Sequence, residues 1–200
     1  MIFLRYESFK GYIRYYPVTS VVLLVNTLLM VLMFVDGGSQ NVDTLVRFGA
    51  LVTHYEPYSS EVWRYFTSIF LHIGLDHWLF NSFAIFVFAP PLERIMGKLP
   101  YLILYIGSGL IGNIASAWLQ TDVQVSAGAS GAIYGIYGAF LFIGFFRKRL
   151  LDDQSHKTVL IILVIGVIYS VLIPHVSLLA HLGGAIGGFL LFPLLKRQVR

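Results

Sequence analysis

Polar stretches interrupt a chain that is otherwise apolar: H-I-G-L-D-H-W-L-F-N at 72–81, G-N at 112–113, G-A-S-G at 128–131 and A-H-L-G-G-A-I-G-G at 180–188. Ser130 is the candidate nucleophile among them. A serine hydroxyl is a weak nucleophile until a neighbouring base takes its proton. The backbone N–H groups of a helix start would stabilise an oxyanion formed beside it. The setting is not the G-x-S-x-G elbow of soluble hydrolases, because Ala132 stands where its second glycine would be. Packing is the competing explanation. Gly131 and Gly135 form a GxxxG pattern, and serines are ordinary members of close helix contacts in lipid.

His181 is the candidate base. Gly184 and Gly188 follow it at i+3 and i+7, on the same helical face, while Gly183 and Gly187 make a second GxxxG. The segment of Ser130 carries Tyr134 at i+4, with Gly131, Gly135 and Gly138 nearby. Two glycine-faced helices pack closely, which would bring Ser130 and His181 together at similar depth. A structural histidine is the alternative, but two polar residues matched on two glycine faces favour chemistry. His77 and Asn81, at i and i+4, share a face and offer N–H donors of the kind an oxyanion hole uses. Otherwise they would be an interhelical hydrogen-bond pair. His72 falls off that face and reads as a structural loop residue. Asn113 reads as helix–helix glue.

Two other chemistries fail on these residues. His72 and His77 do not form H-E-x-x-H, so a zinc protease is not expected. An aspartyl membrane protease would need paired intramembrane aspartates. Asp36, Asp43, Asp76, Asp122, Asp152 and Asp153 all fall at segment ends or in loops. With no cysteine in the chain, thiolate chemistry and disulfides are excluded. No metal or cofactor is expected.

The elements that must position these residues are apolar segments near the ~20 residues that cross a hydrocarbon core. Six are expected, at 18–35, 76–93, 99–119, 129–146, 158–173 and 178–195. With 57% hydrophobic and 12% charged residues, the 200-residue chain has too little polar surface for a soluble domain, and it reads as a single membrane domain, 1–200. The first segment is too long for a signal peptide and lacks a small-residue cleavage site. Placing the N-terminus in the cytoplasm puts all 14 basic residues except Arg47 and Arg64 on the inner side. Arg5, Lys196, Arg197 and Arg200 are among those inside. The positive-inside rule favours this orientation, with both termini cytoplasmic. It also accounts for the +4 net charge as attraction to anionic lipid, so no nucleic acid is implied. Residues 37–70 form a long first outer loop, whose aromatics suit a headgroup-level element. Pro174, His175 and Ser177 fall in a short outer loop, without an assigned role.

These motifs together resemble the rhomboid intramembrane serine proteases. The resemblance rests on Ser130 in G-A-S-G, His181 in A-H-L-G-G-A-I-G-G and H-x-x-x-N at His77–Asn81. Trp63-Arg64, Glu93 with Gly97, and Tyr134 extend it, from residue 63 to 190. It implies an all-α integral membrane fold, a minimal six-helix bundle with its core at 18–195. It also implies roles. Ser130 would be the nucleophile and His181 its general base, with Tyr134 fixing the imidazole. Asn81, His77 and the Ser130 N–H would form the oxyanion hole, and Gly128 would keep the active-site backbone uncrowded. No aspartate completes a triad, and the dyad is a variation on the same logic. The implied partners are the lipid bilayer and single-span membrane proteins, cut near the outer end of their transmembrane segment. The small size and the absence of an Arg/Ser-rich transit peptide favour a bacterial cytoplasmic membrane as the location, with an organelle membrane as the alternative. The rival function is a non-catalytic client binder of the same fold. A small transporter is disfavoured, since repeated halves and midplane charges are missing from the sequence.

Overall fold

Ser8 caps a short helix, α1 (Phe9–Tyr15), by accepting from the Gly11 N–H, and Pro17 then opens α2 (Pro17–Val35). Proline suits a first helical turn, where its missing N–H has no partner to lose. The structure is a computed structural model that describes residues 2–4, 6–172 and 176–195. Arg5, Pro174, His175, Lys196, Arg197 and Arg200 lie outside these described residues. After α2 come α3 (Val42–Phe48), β1 (Leu51–Thr53), α4 (Arg64–Thr67), α5 (Leu75–Met96), α6 (Lys98–Leu119), β2 (Gln124–Ser126), α7 (Ser130–Phe146), α8 (Asp153–Leu172) and α9 (Leu178–Leu195).

Every expected apolar segment is helical over its described residues, to within a residue at its ends. Among the described residues, α2, α5, α6, α8 and α9 are long and apolar enough to cross a membrane. At 17 residues α7 is shorter. It is the central helix, packed by α5, α6, α8 and α9, so its apolar surface meets protein more than lipid. Two boundaries differ from expectation. The helix of α5 continues through Pro90 and Pro91 to Met96. α8 starts at Asp153, because the Asp152 carboxylate accepts from Ser155 N at 3.0 Å and so supports a polar first turn.

Glycines set the helix packing. A methyl group on Gly184 would strike the Gly131 carbonyl, and one on Gly188 the Gly135 carbonyl. The stripe of α9 that holds Gly184 and Gly188 therefore rests directly on α7. The second stripe, Gly183 and Gly187, faces Gly112, Ala115 and Ile111 of α6. Gly97 makes the tight turn between α5 and α6 with φ +84, a region that side chains avoid.

Two further features hold the bundle. Glu93, buried in α5, reaches the start of α2: Oε1 accepts from Val18 N at 3.0 Å, and Oε2 accepts from Thr19 N at 2.9 Å and Thr19 Oγ1 at 2.7 Å. A carboxylate there satisfies open N–H groups and complements the helix dipole. The 37–70 segment is more than a headgroup-level stretch. Buried Arg64 donates to Val46 O at 2.7 Å and Ala50 O at 3.0 Å, pairs with Glu61, and lies over the rings of Trp63 and Tyr58. β1 pairs antiparallel with β2, with Val52 opposite Val125. The helical bundle thus carries a small two-stranded ribbon that the helical periodicities did not foretell.

The path from this loop into α5 buries His72 completely, and among the described residues neither ring nitrogen makes a hydrogen bond of good geometry. Its ring meets that of His77 edge to face at 5.4 Å. It is structural, as expected, yet it also forms the wall behind His77. Burial, aided by the neighbouring His77, pushes its pKa down to about 3.

Two stability predictions follow from these contacts. Glu93→Ala strands the α2 amides and is expected to cost about 2 kcal/mol, seen as a lower unfolding temperature in detergent. For His72, the unfolded chain binds a proton near pH 6.5 that the folded chain refuses until about pH 3. Folding stability therefore falls as pH drops through that window. His72→Phe is expected to remove about 2 kcal/mol of the loss between pH 7 and 5, measured by unfolding both proteins at the two pH values.

Candidate active site

Ser130 is the first residue of α7, and Ala129 before it is fully buried. The first intrahelical bond runs from Ile133 N to Ala129 O at 3.0 Å. The N–H groups of Ser130, Gly131 and Ala132 thus precede the helical ladder, and no side chain caps them. A buried, uncapped helix start is costly unless something else meets it. It is also a ready place for negative charge.

His77 stands opposite. A Cβ added to Gly128 would lie 2.7 Å from His77 Cε1, 3.0 Å from its Nε2 and 3.6 Å from Ser130 Oγ. The ring and the hydroxyl therefore flank the same small space, and only glycine leaves it open. Buried Asn81 is one turn further along α5 and turns its amide back, donating to His77 O at 2.8 Å. An amide nitrogen carries two hydrogens, so one donor remains for an oxyanion.

His181 lies in the first turn of α9, buried against α7. Tyr134, to which the family resemblance gives the role of fixing the imidazole, stacks on the His181 ring at 4.0 Å with planes 7° apart. The Gly131 backbone lies alongside Ala180, so Ser130 and His181 are neighbours across the α7–α9 contact. They are not hydrogen-bonded to each other in this arrangement. The imidazole bonds through Nδ1 to Ser170 Oγ of α8, at 2.6 Å. Ser170 was absent from the sequence reading. Its only signal was a lone hydroxyl in an apolar segment, a residue that ordinarily just bonds its own helix.

The supporting contacts correct one expectation and add a second finding. Asn113 does not glue one spanning helix to another. Its amide donates to Tyr65 O at 2.7 Å and Ser68 Oγ at 3.0 Å, tying α6 to α4 and the turn that ends the 37–70 loop. Ser68 O in turn accepts from Gly128 N at 2.9 Å. The backbone leading to Ser130 is thus held on one side by β1 and on the other by buried Ser68. Ser177 acquires a place as the N-cap of α9: its Oγ accepts from Ala180 N at 3.1 Å and pairs with Ser116 of α6 at 2.8 Å.

The site therefore holds a hydroxyl at an open helix start, an imidazole fixed on a glycine-packed neighbour, and N–H donors from a third helix. That set suits acyl transfer. Comparison with known proteins agrees with it. Residues 59–198 match the rhomboid domain family. YdcA of Bacillus subtilis (strain 168), provisionally named a rhomboid protease, is 39% identical over 192 residues, covering 95% of this chain and 94% of YdcA. The rhomboid protease GluP of the same organism is 33% identical over 171 residues, covering 86% of this chain and 33% of GluP. RHOMBOID-like protein 1 of Arabidopsis thaliana is 36% identical over 149 residues, covering 74% of this chain and 38% of its own length. The chain thus spans nearly all of YdcA but about a third of the other two. These relatives support an intramembrane protease role, and the protein is a multi-pass integral membrane member of the rhomboid family.

Proposed function

We propose that the protein is an intramembrane serine endopeptidase acting through a Ser130–His181 dyad on single-span membrane proteins. The observation that carries this is Ser130 at the uncapped, buried start of α7, one turn before the tyrosine that stacks on His181. In the reaction, Ser130 Oγ attacks the scissile carbonyl carbon while its proton passes to His181 Nε2. The carbonyl oxygen becomes an oxyanion facing the open N–H groups of α7, the His77 ring and the free amide hydrogen of Asn81. His181 then gives its proton to the leaving amine, and the C–N bond breaks to leave an acyl-enzyme. A water molecule, deprotonated by the same histidine, releases the second product. In resting enzymes such proton-transfer contacts are commonly long and close only on the substrate.

α8 is sparsely packed, with few buried residues and contacts mainly to α7 and α9. That leaves a lateral way for a transmembrane segment to reach the site from lipid. The basic-residue distribution supports both termini in the cytoplasm, which would put the site near the outer face. A bacterial cytoplasmic membrane is the proposed location.

The test pairs purified wild type with Ser130→Ala and His181→Ala, each offered a single-span substrate in detergent. Cleavage fragments are expected from wild type alone, and turnover retained in either variant refutes the dyad. No fragments from any of them, together with no labelling of Ser130 by a serine-reactive probe, would instead indicate a non-catalytic client binder. Asn81→Ala is expected to lower kcat by about 10²-fold with little change in KM, the scale for losing one oxyanion donor. An unchanged rate removes that role and leaves the dyad in place.

A further inference from the structure

α8 turns few side chains inward, and Ser170 is one of its buried residues. Its Oγ lies 2.6 Å from His181 Nδ1 and 2.7 Å from Gly166 O. A hydroxyl has one proton to give. If that proton went to Nδ1, two lone-pair-bearing oxygens would face each other unbridged across 2.7 Å. Donation to the Gly166 carbonyl removes that repulsion and leaves Oγ as an acceptor. Nδ1 must then be the donor. A neutral imidazole carries one N–H, so Nε2 keeps a bare lone pair.

The surroundings hold this arrangement. Tyr134 covers one face of the ring in parallel stacking, so the imidazole cannot turn over freely. The tyrosine hydroxyl also reaches Ser170 and lies against Gly166, where any side chain would displace it. The hydroxyl on α8, the aromatic ring on α7 and the histidine on α9 thus make one unit across three helices.

We propose that Ser170 is a positioning residue that holds His181 in the Nδ1–H tautomer and keeps Nε2 free to take the Ser130 proton. This deepens the protease reading and rests on it for its functional meaning. Ser170 supplies the orienting part of what a triad carboxylate does, without the charge. When His181 takes up the Ser130 proton, the Nδ1–H···Oγ bond becomes charge-assisted and strengthens, so the contact favours the step it prepares.

The test reads the tautomer directly. Protein labelled with [15N]histidine is examined by NMR in detergent, with the His181 signals assigned by their loss in His181→Asn. The expected result is His181 as the Nδ1–H form in wild type, and a loss of that preference in Ser170→Ala. Labelling of Ser130 by a fluorophosphonate probe is expected to slow about ten-fold in Ser170→Ala, the scale of one lost buried hydrogen bond. Ser170→Thr, which restores the hydroxyl, is expected to recover both. An Nε2–H form in wild type overturns the proposal, and that measurement stands even if Ser170→Ala fails to fold. An unchanged tautomer and labelling rate in folded Ser170→Ala also overturn it. Wild type that neither cleaves nor labels, yet keeps a Ser170-dependent Nδ1–H form, defeats the protease reading while upholding the hydrogen-bond assignment.

Discussion

The backbone-to-backbone approach of α9 to α7 and α6 is the constraint on which the rest of the structure depends. Lipid tails are as apolar as leucine side chains, so helices in a membrane gain little by hiding apolar surface from lipid and associate through close packing. Here the packing is at its limit, because Gly184 and Gly188 leave no room for a methyl group against the Gly131 and Gly135 carbonyls. Both pairs step by four residues on both helices, so the register is fixed. A slip that put Ala185 and Phe189 in their places would set a side chain against each carbonyl. Since Ser130 precedes Gly131 and His181 precedes Gly184, fixing the glycines also fixes the depth of the hydroxyl and the imidazole. The second stripe, Gly183 and Gly187, does the same against α6, and α6 carries Asn113 and Ser116 to the loops at that end of the bundle.

A polar site inside such a bundle must be surrounded by groups that cannot relax away from it. The start of α7 has no side-chain cap, and the segment before it would be free to move if it hung only from its own helix. It is held by two unrelated devices. The ribbon places Val125 and Ser126 against Val52 and Leu51, while Ser68 fixes the Gly128 amide and is itself held by Asn113. Arg64, through Val46 and Ala50, stiffens the loop that presents β1. The long first loop is thus part of the site's frame, and its Trp63-Arg64 pair helps hold Ser130 from a distance.

How much of this was legible in the sequence depended on whether the signal was local. Ser130, His181 and the glycine stripes could be matched because helical periodicity puts i, i+4 and i+7 on one face, and that holds in any environment. His77 and Asn81 were legible by the same rule. The ribbon was not, since its strands are three residues each and pair segments about seventy residues apart in sequence, with no alternation long enough to register. Asn113 was legible as a costly polar residue, but its partners, Tyr65 and Ser68, belong to a loop whose path no periodicity describes. The shortness of α7 was hidden because apolarity alone does not separate a lipid-facing helix from one sheathed in other helices. Ser170 was the least visible. A serine inside an apolar helix usually bonds the carbonyl one turn back, and Ser170 does so, with Gly166. Its second partner comes from another helix.

That second bond bears on why a hydroxyl and not a carboxylate stands behind the proposed base. An aspartate in a membrane helix is costly, about 2.5–3.5 kcal/mol at the centre on insertion scales and less toward the end where Ser170 stands, and it must then be kept paired. In return it would both orient the imidazole and stabilise its charged form. Orientation alone needs much less. A neutral hydrogen bond of about 1 kcal/mol is sufficient to select one tautomer by several-fold. Here the stacked Tyr134 ring already limits how the imidazole can turn. Stabilisation of the charged form falls instead to the oxyanion created in the same step, which lies between His77 and the open end of α7. The bundle therefore avoids carrying a permanent charge into lipid, and in the proposed reaction opposite charges arise together, only while substrate is bound.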